Sequence, residues 1–492
     1  MKYAVVFVLA IVWIVGIDMS IPKNEFIQEE FGQIGDAYIS YRYAANLLRG
    51  DGLVYNKGER VEGFTNMLWV LLLALISFVV SIDLPQAGYV LSVISGSMLL
   101  TAIYGLTYHI SKNKWVSIFP VLLVGLTIHF NTWVLSGLET PLWAALIVLG
   151  IWAAMSNRMI LASLLAGLCF WTRPDGGLLG VSIFLPYLWK RWEESDSLKK
   201  LLRKEWEQYK WFNPIIIWCV MIVGLTIFRL VYFGSPVPNT AVAKIGGIPV
   251  SRGLEYLTTT LRDGGIVFLI PVYILIFGFG YRRSEISLFV LLQTTYTVAI
   301  GGDAFYYGRF LIPVMALLSC GWGYIYKILK EKEYMLMPAE THIWYKYVVP
   351  VFCILYLSLI HFPVLNDDEF TKEKVKNCNF ERFNRENAKN YNNETIACIG
   401  IGSFGYYNPN VRILDMVGLV TPEVSHNNVN IGDDIIPGHH RSNAKWILSQ
   451  NPDEIHLPDS LSLPCVVDMK ELEEFHQKYK RDQTKLGIWI RK

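Results

Sequence analysis

Twelve apolar runs divide residues 1–362, and no other feature constrains the fold so tightly. They lie at about 3–17, 67–82, 87–109, 115–129, 139–155, 160–173, 176–189, 212–233, 264–280, 285–301, 310–327 and 347–362. Hydrocarbon offers no partner to a bare N–H or C=O, so a run that enters it must be helical. Roughly 20 residues suffice to cross, and several of these runs are shorter. Composition points the same way. The chain is 53% hydrophobic and 17% charged, against about a quarter charged in soluble domains. The class expected is a polytopic α-helical membrane protein. A net charge of +2 and the lack of a basic tract interleaved with aromatics argue against a nucleic-acid partner.

Orientation follows from charge. The first run sits behind Lys2 and is followed by "DMSIPKN", with no small-x-small cleavage site, so it predicts an uncleaved helix with its N-terminus inside. Lys and Arg concentrate in cytoplasmic loops. The basic loops are 111–114, 190–210, 281–283 and 327–333. If every run spans, the first three of these fall outside. Letting the segment 67–82 enter and leave on one side brings all four inside and predicts about eleven spans plus an interfacial or re-entrant helix.

Every polar motif then falls on the outer face. These are the first outer loop (20–66), "NTWVLSGLETP", "WTRPDGG", "GSPVPNTAVAKIGG", "GGDAFYYGRF" and everything after 363. A face with chemistry opposite a face that is merely basic suits an enzyme better than a channel, which needs polar lining through its depth. It gives no sign of the broken midplane helices of a transporter. The boundary expected is 1–362 for the membrane part and 363–492 for a small α/β domain outside it. Of the seven cysteines, Cys169, Cys219, Cys320 and Cys353 lie in apolar runs and read as buried small hydrophobes. Cys378, Cys398 and Cys465 allow one disulfide.

The outer motifs carry the candidate chemistry. Asp36 in "GDAYISYRYAANLLRG" stands where it can cap a helix; on the motif-bearing face it can equally serve as a general base toward a hydroxyl. Arg42 reads as either an interfacial charge or an acceptor- or cavity-lining group, Arg60 as an interfacial charge, and Glu62 either anchors a turn or lines the cavity. Glu139 favours a helix start through the dipole. Arg173 and Asp175 flank Pro174 at the edge of hydrocarbon, and a mutual salt bridge competes there with a functional role. Asp303 and Arg309 bracket Tyr306 and Tyr307, which suit either a sugar face or an aromatic belt. Arg173, Lys244 and Arg309 together would suit a phosphate, through bidentate guanidinium bonds and a point-charge ammonium. Asp36, Glu139 and Asp303 would allow one hard divalent cation, although their spacing does not demand it.

Taken in order, "DAYISYRYAANLLRGDGLVYNKGERVEGFTN", "SGLETP", "TRPDG", "GGDAFYYGRF", "DMVGL" (415–419) and "PGHHRS" (437–442) resemble the signature of membrane glycosyltransferases of the GT-C type. More narrowly they resemble the AftB terminal arabinofuranosyltransferase and ZomB-like relatives. The resemblance implies a GT-C fold and transfer of a sugar from a polyprenyl-phosphate donor to a glycan or lipid-linked acceptor. It places that reaction on the periplasmic face of the bacterial inner membrane, in cell-envelope assembly. It implies Asp36 as the base and basic residues at the donor phosphate, with His439 near the acceptor and no obligatory cofactor. It also implies a carbohydrate-binding module after residue 363. The rival expectation is a non-enzymatic membrane protein supporting flagellar motor or envelope assembly.

Overall fold

A computed structural model describes residues 2–20, 33–194, 213–244, 250–264, 285–305, 307–333, 368–388, 393–427, 438–458, 461–483 and 487–492, with Tyr391 and some positions between 195 and 212. The runs at 264–280 and 347–362, and Tyr306, lie outside the described residues.

The membrane part is a helical bundle. Helix α1 (Lys2–Ser20) is followed by α2 (Ala37–Leu48), α3 (Met67–Val80) and α4 (Leu84–Ser111). Then come α5 (Ile118–Gly125), α6 (Ile128–Val134), α7 (Thr140–Met155), α8 (Met159–Thr172) and α9 (Gly177–Glu193). The series continues with α10 (Pro214–Phe233), α11 (Asn239–Lys244), α12 (Val250–Gly264), α13 (Glu285–Ala299) and α14 (Ile312–Glu333). Among the described residues, four helical stretches are long and apolar enough to cross a membrane: Lys2–Met19, Leu84–Ser111, Pro214–Phe233 and Arg309–Ile328. Met67–Val80, Thr140–Met155 and Met159–Thr172 are shorter apolar helices. The run 115–129 is broken: Thr127 starts a new helix by accepting a bond from the Phe130 amide, so α5 and α6 traverse the bundle as two pieces.

Side-chain contacts fix which helix ends meet. Lys2 lies over the Tyr108 ring, Tyr3 packs on Tyr104 and Trp152, and Asn113 donates to the Tyr326 hydroxyl. The start of α1 and the distal parts of α4, α7 and α14 therefore share one end, beside the basic loops 111–114 and 327–333. α3 begins at the opposite end. Asn66, before α3, pairs with Ser40 of α2, while Pro85, at the start of α4, accepts from Gln33 just before α2. Both flanks of the segment 67–82 thus lie beside the same short helix.

The C-terminal part holds α15 (Asp368–Asn387), β1 (Thr395–Cys398), α16 (Gly402–Tyr407), β2 (Arg412–Asp415), β3 (Glu454–His456), β4 (Tyr479–Arg481) and β5 (Ile488–Arg491). The sheet order is β2-β1-β3-β5-β4, parallel at β2-β1-β3 and antiparallel through β5 and β4. The period of two along a strand divides its side chains between two cores. Ile396, Cys398 and Ile413 join the core of the helical bundle, whereas Ala397, Leu414 and Ile455 join a second cluster beyond the sheet. Composition suggested a self-contained domain; instead one face of its sheet is finished by the bundle.

The cysteines follow from this. Among the described residues no cysteine is in a disulfide, so none links Cys378, Cys398 and Cys465. Cys398 and Cys465 lie in different cores, with the sheet between them. Cys219 is exposed on the outer surface of α10 rather than buried, because that helix turns most of its length away from the bundle.

Candidate active site

The loops at the end opposite Lys2 and Tyr108 bring most of the singled-out charges together. Arg173 ends α8 in extended backbone, since Pro174 disfavours the α conformation before it. Its side chain folds back onto its own turn and across to α7. Nε and Nη2 donate to Asp175 at 3.0 and 3.3 Å, and Nη1 donates to Glu139 Oε1 at 3.0 Å. The other Glu139 oxygen accepts from Asn66 at 2.8 Å. Glu139 precedes α7 without capping it by its side chain. Burial would raise its pKa, but Arg173 and Arg309 prevail and hold it below the usual carboxylate range. The salt bridge weighed from the sequence is present, and it is a triad rather than a pair.

Arg309 pairs with Asp303 across the six-residue loop before α14, Nε lying 2.7 Å from Oδ2. Its guanidinium sits over Trp133, Phe305 and Phe310. Arg173 lies over the same Phe310 and over Trp143. One phenyl ring thus lies within reach of two buried guanidinium groups and attracts each of them. Tyr307 has a left-handed backbone (φ +61°), and its carbonyl accepts from the Trp133 indole; its ring lies edge-on to His129.

Asp36 and Lys244 differ from these neutralised groups. Asp36 is half-buried at the start of α2, with no side-chain capping bond. Its backbone is already helical, which turns the carboxylate away from the amides that a cap would serve. Among the described residues it makes no hydrogen bond or ion pair. Lys244 closes α11, and its amine likewise has no such bond to a described residue. Its side chain is open to water yet ringed by protein. That enclosure, with Arg309 close by, pushes its pKa below the ordinary lysine value, while Asp36 and Asp303 pull it back. An unpaired carboxylate and an unpaired ammonium therefore share one field beside two neutralised arginines. Gly438 packs against the Lys244 stem, which brings the half-buried His439 to the same rim.

Two expected site residues stand elsewhere. Arg42 is buried rather than interfacial or cavity-lining, because four acceptors surround it. It donates to the carbonyls of Tyr55 (2.8 Å), Gly405 (2.7 Å) and Val411 (2.8 Å), and more distantly to Asn56. It therefore ties the first outer loop to the C-terminal part. Glu62 is an anchor: both its oxygens accept from Arg229 Nε at 3.0 Å, deep against α10. Burial nevertheless pushes its pKa up to about 7 against the pull of Arg229. Its carbonyl accepts from Asn239, which starts the helix that ends in Lys244.

Sequence reasoning passed over Asn66, Trp133 and Phe310. Asn66 ends the quoted "VEGFTN" but looks there like an ordinary helix cap, and an aromatic between two arginines looks like part of an interfacial belt. Asp415 of "DMVGL" accepts from the amides of Val417, Leu419 and Val420. That knot shapes the loop whose Gly418 and Leu419 carbonyls accept from Asn239. As for a cation, Glu139 and Asp303 are each taken up by an arginine. Among the described residues no three His, Cys, Asp or Glu side chains gather around one point.

Comparison with known proteins places this geometry. The chain is 26% identical over 341 residues to the terminal β-(1→2)-arabinofuranosyltransferase of Corynebacterium glutamicum, covering 58% of this chain and 46% of that protein. It is 26% identical over 338 residues to the enzyme of the same name from Mycobacterium tuberculosis, covering 58% of this chain and 51% of the relative. The matched stretch thus spans about half the length of these curated relatives. Among solved structures, ArnT from Cupriavidus metallidurans, bound to undecaprenyl phosphate, superposes with a TM-score of 0.54 at 10% identity, over 85% of this chain and 87% of that one. The archaeal oligosaccharyltransferase AglB from Archaeoglobus fulgidus, in complex with an inhibitory peptide and a dolichol-phosphate, gives 0.52 at 11% identity, over 84% and 64%. Residues 368–487 match a family described as a domain of unknown function, DUF8728. The chain has the GT-C fold of these neighbours and is a multi-pass membrane protein.

Proposed function

We propose that this chain is a GT-C glycosyltransferase that takes a sugar, arabinofuranose by the names of the curated relatives it resembles, from a polyprenyl-phosphate donor. The acceptor is a glycan or a lipid-linked glycan on the periplasmic face of the inner membrane. The observation that carries the reading is that the Asp36 carboxylate and the Lys244 amine feel one another while neither has a hydrogen bond or ion pair among the described residues. A carboxylate without a partner is free to take a proton, and an ammonium without a partner is free to meet a phosphate. The names and bound lipids of the similar proteins support the choice of chemistry.

In the reaction Asp36 accepts the proton of the acceptor hydroxyl as its oxygen attacks the anomeric carbon. The bond from that carbon to the phosphate oxygen breaks, and the polyprenyl phosphate leaves with the electron pair. Lys244 meets the added charge directly. Arg173 and Arg309, each already paired with carboxylates, add no net positive charge and stand as fixed guanidinium groups that need not reorganise, so Lys244 is the cation left to the phosphate. The reading is tested with purified protein, radiolabelled polyprenyl-phosphate arabinose and membrane oligosaccharide acceptors. Radiolabel appearing in the acceptor supports it; failure to bind the donor at all sinks it.

Lys244 gives a second, separable expectation. Replacing it with Met removes one charge-assisted contact and should weaken donor binding roughly 10–100-fold. The sign with pH follows from its depressed pKa. The ammonium loses its proton at a lower pH than an ordinary lysine, so donor affinity should fall as pH rises through that point. Lys244→Arg, which stays charged, should flatten that limb. Titration of labelled donor across pH decides it, and a wild-type curve identical to that of Lys244→Arg would remove Lys244 from the phosphate.

A further inference from the structure

We propose that the C-terminal part positions the carboxylate of Asp36, and that Gly402 is the contact through which it does so; this rests on the transferase reading above. Because Asp36 has no side-chain partner among the described residues, its aim is set by the backbone of the turn 34–37. That turn is held on three sides. The Ile34 amide donates to Ser136 in the loop before α7, at 3.0 Å. The Ala37 and Tyr38 amides close the first helical bonds onto Ile34 and Gly35. The third side is α16.

There Gly402 lies directly against the Gly35 carbonyl, so closely that a Cβ on Gly402 would land on that oxygen. Backbone meets backbone at this point, so no flexible side chain can yield. The corner is itself pinned. Tyr55 donates to the Ile401 carbonyl at 2.5 Å, and the buried Asn384 of α15 donates to Ser403 at 2.8 Å. Gly405, one turn further on, makes a different contact: a Cβ there would meet the Tyr55 hydroxyl and the Arg42 guanidinium, not the turn before α2.

The pair Gly402→Ala and Gly405→Ala separates positioning from general support. Both should loosen the seat of α16. Only Gly402→Ala should displace Gly35, with a fall in kcat of roughly 10–100-fold, the scale expected of a misplaced reacting group, and a donor KM within about twofold of wild type. Amide hydrogen exchange gives a readout that needs no activity. Exchange at residues 36–39 should quicken in Gly402→Ala and not in Gly405→Ala. Equal losses of kcat, or unchanged exchange in Gly402→Ala, overturns the proposal. If wild type transfers no sugar, the transferase reading fails while the exchange comparison still decides the positioning. Should Gly402→Ala not accumulate, Asn384→Ala, which frees Ser403 without a clash, must reproduce the faster exchange or the proposal falls.

Discussion

Asp36→Asn should leave a folded protein that binds donor but transfers no measurable sugar. The substitution keeps size and shape and removes only the basic lone pairs. Because Asp36 makes no bond to the described residues, no local network collapses with it. A positioned general base contributes about 10²–10⁴-fold to rate, so the loss should reach at least the lower figure, with donor affinity unchanged or slightly tighter as one negative charge leaves the phosphate's surroundings. Single-turnover transfer beside equilibrium donor binding separates the two effects. Equal transfer by wild type and Asp36→Asn would take Asp36 out of the chemistry. Normal envelope function in cells carrying Asp36→Asn would favour the non-enzymatic assembly role.

Arg42→Ala should be the most damaging single change to stability. It strips the donor from three buried carbonyls and the Asn56 side-chain oxygen at once. It also removes the cation over the Tyr55 ring. Each buried acceptor left without a donor costs about 1–3 kcal/mol; the Gly405 and Val411 carbonyls lose the Arg42 donor, while Tyr55 keeps a bond from Asn46 and Asn56 one from Ile413. Arg42→Lys should rescue little, since one ammonium cannot reach carbonyls arranged for a planar fork. The expected signature is a large drop in thermal stability in detergent, with protease cleavage appearing first around residues 50–60 and 400–412. A variant melting within a degree or two of wild type would show that the seam between the two parts is held by something else.

Much of the architecture was legible because hydrocarbon imposes a simple rule on sequence. Most of the apolar runs are helices among the described residues, and the basic segments 111–114 and 327–333 lie at the end that Lys2 and Tyr108 share. The break between α5 and α6 was not legible, since Thr127 is one hydroxyl in an apolar run. The site was legible as a set of motifs on one face, but not as a pattern of pairing. Charge type cannot show that Glu139 and Asp175 share Arg173 while Asp36 and Lys244 stay open. Arg42 was misread because its acceptors are backbone carbonyls, which every residue carries and no sequence displays.

The long reach of Arg42 bears on how the protein is made. Its acceptors at Gly405 and Val411 lie 363 and 369 residues further along the chain. At synthesis rates of about 5–20 residues per second, the first outer loop waits roughly 20–70 s for the strand and helix that complete it. A nascent or prematurely ended chain therefore carries an inserted bundle whose Asp36 turn lacks its third support. On the transferase reading, the site is fully supported only once residues 401–411 have joined the bundle.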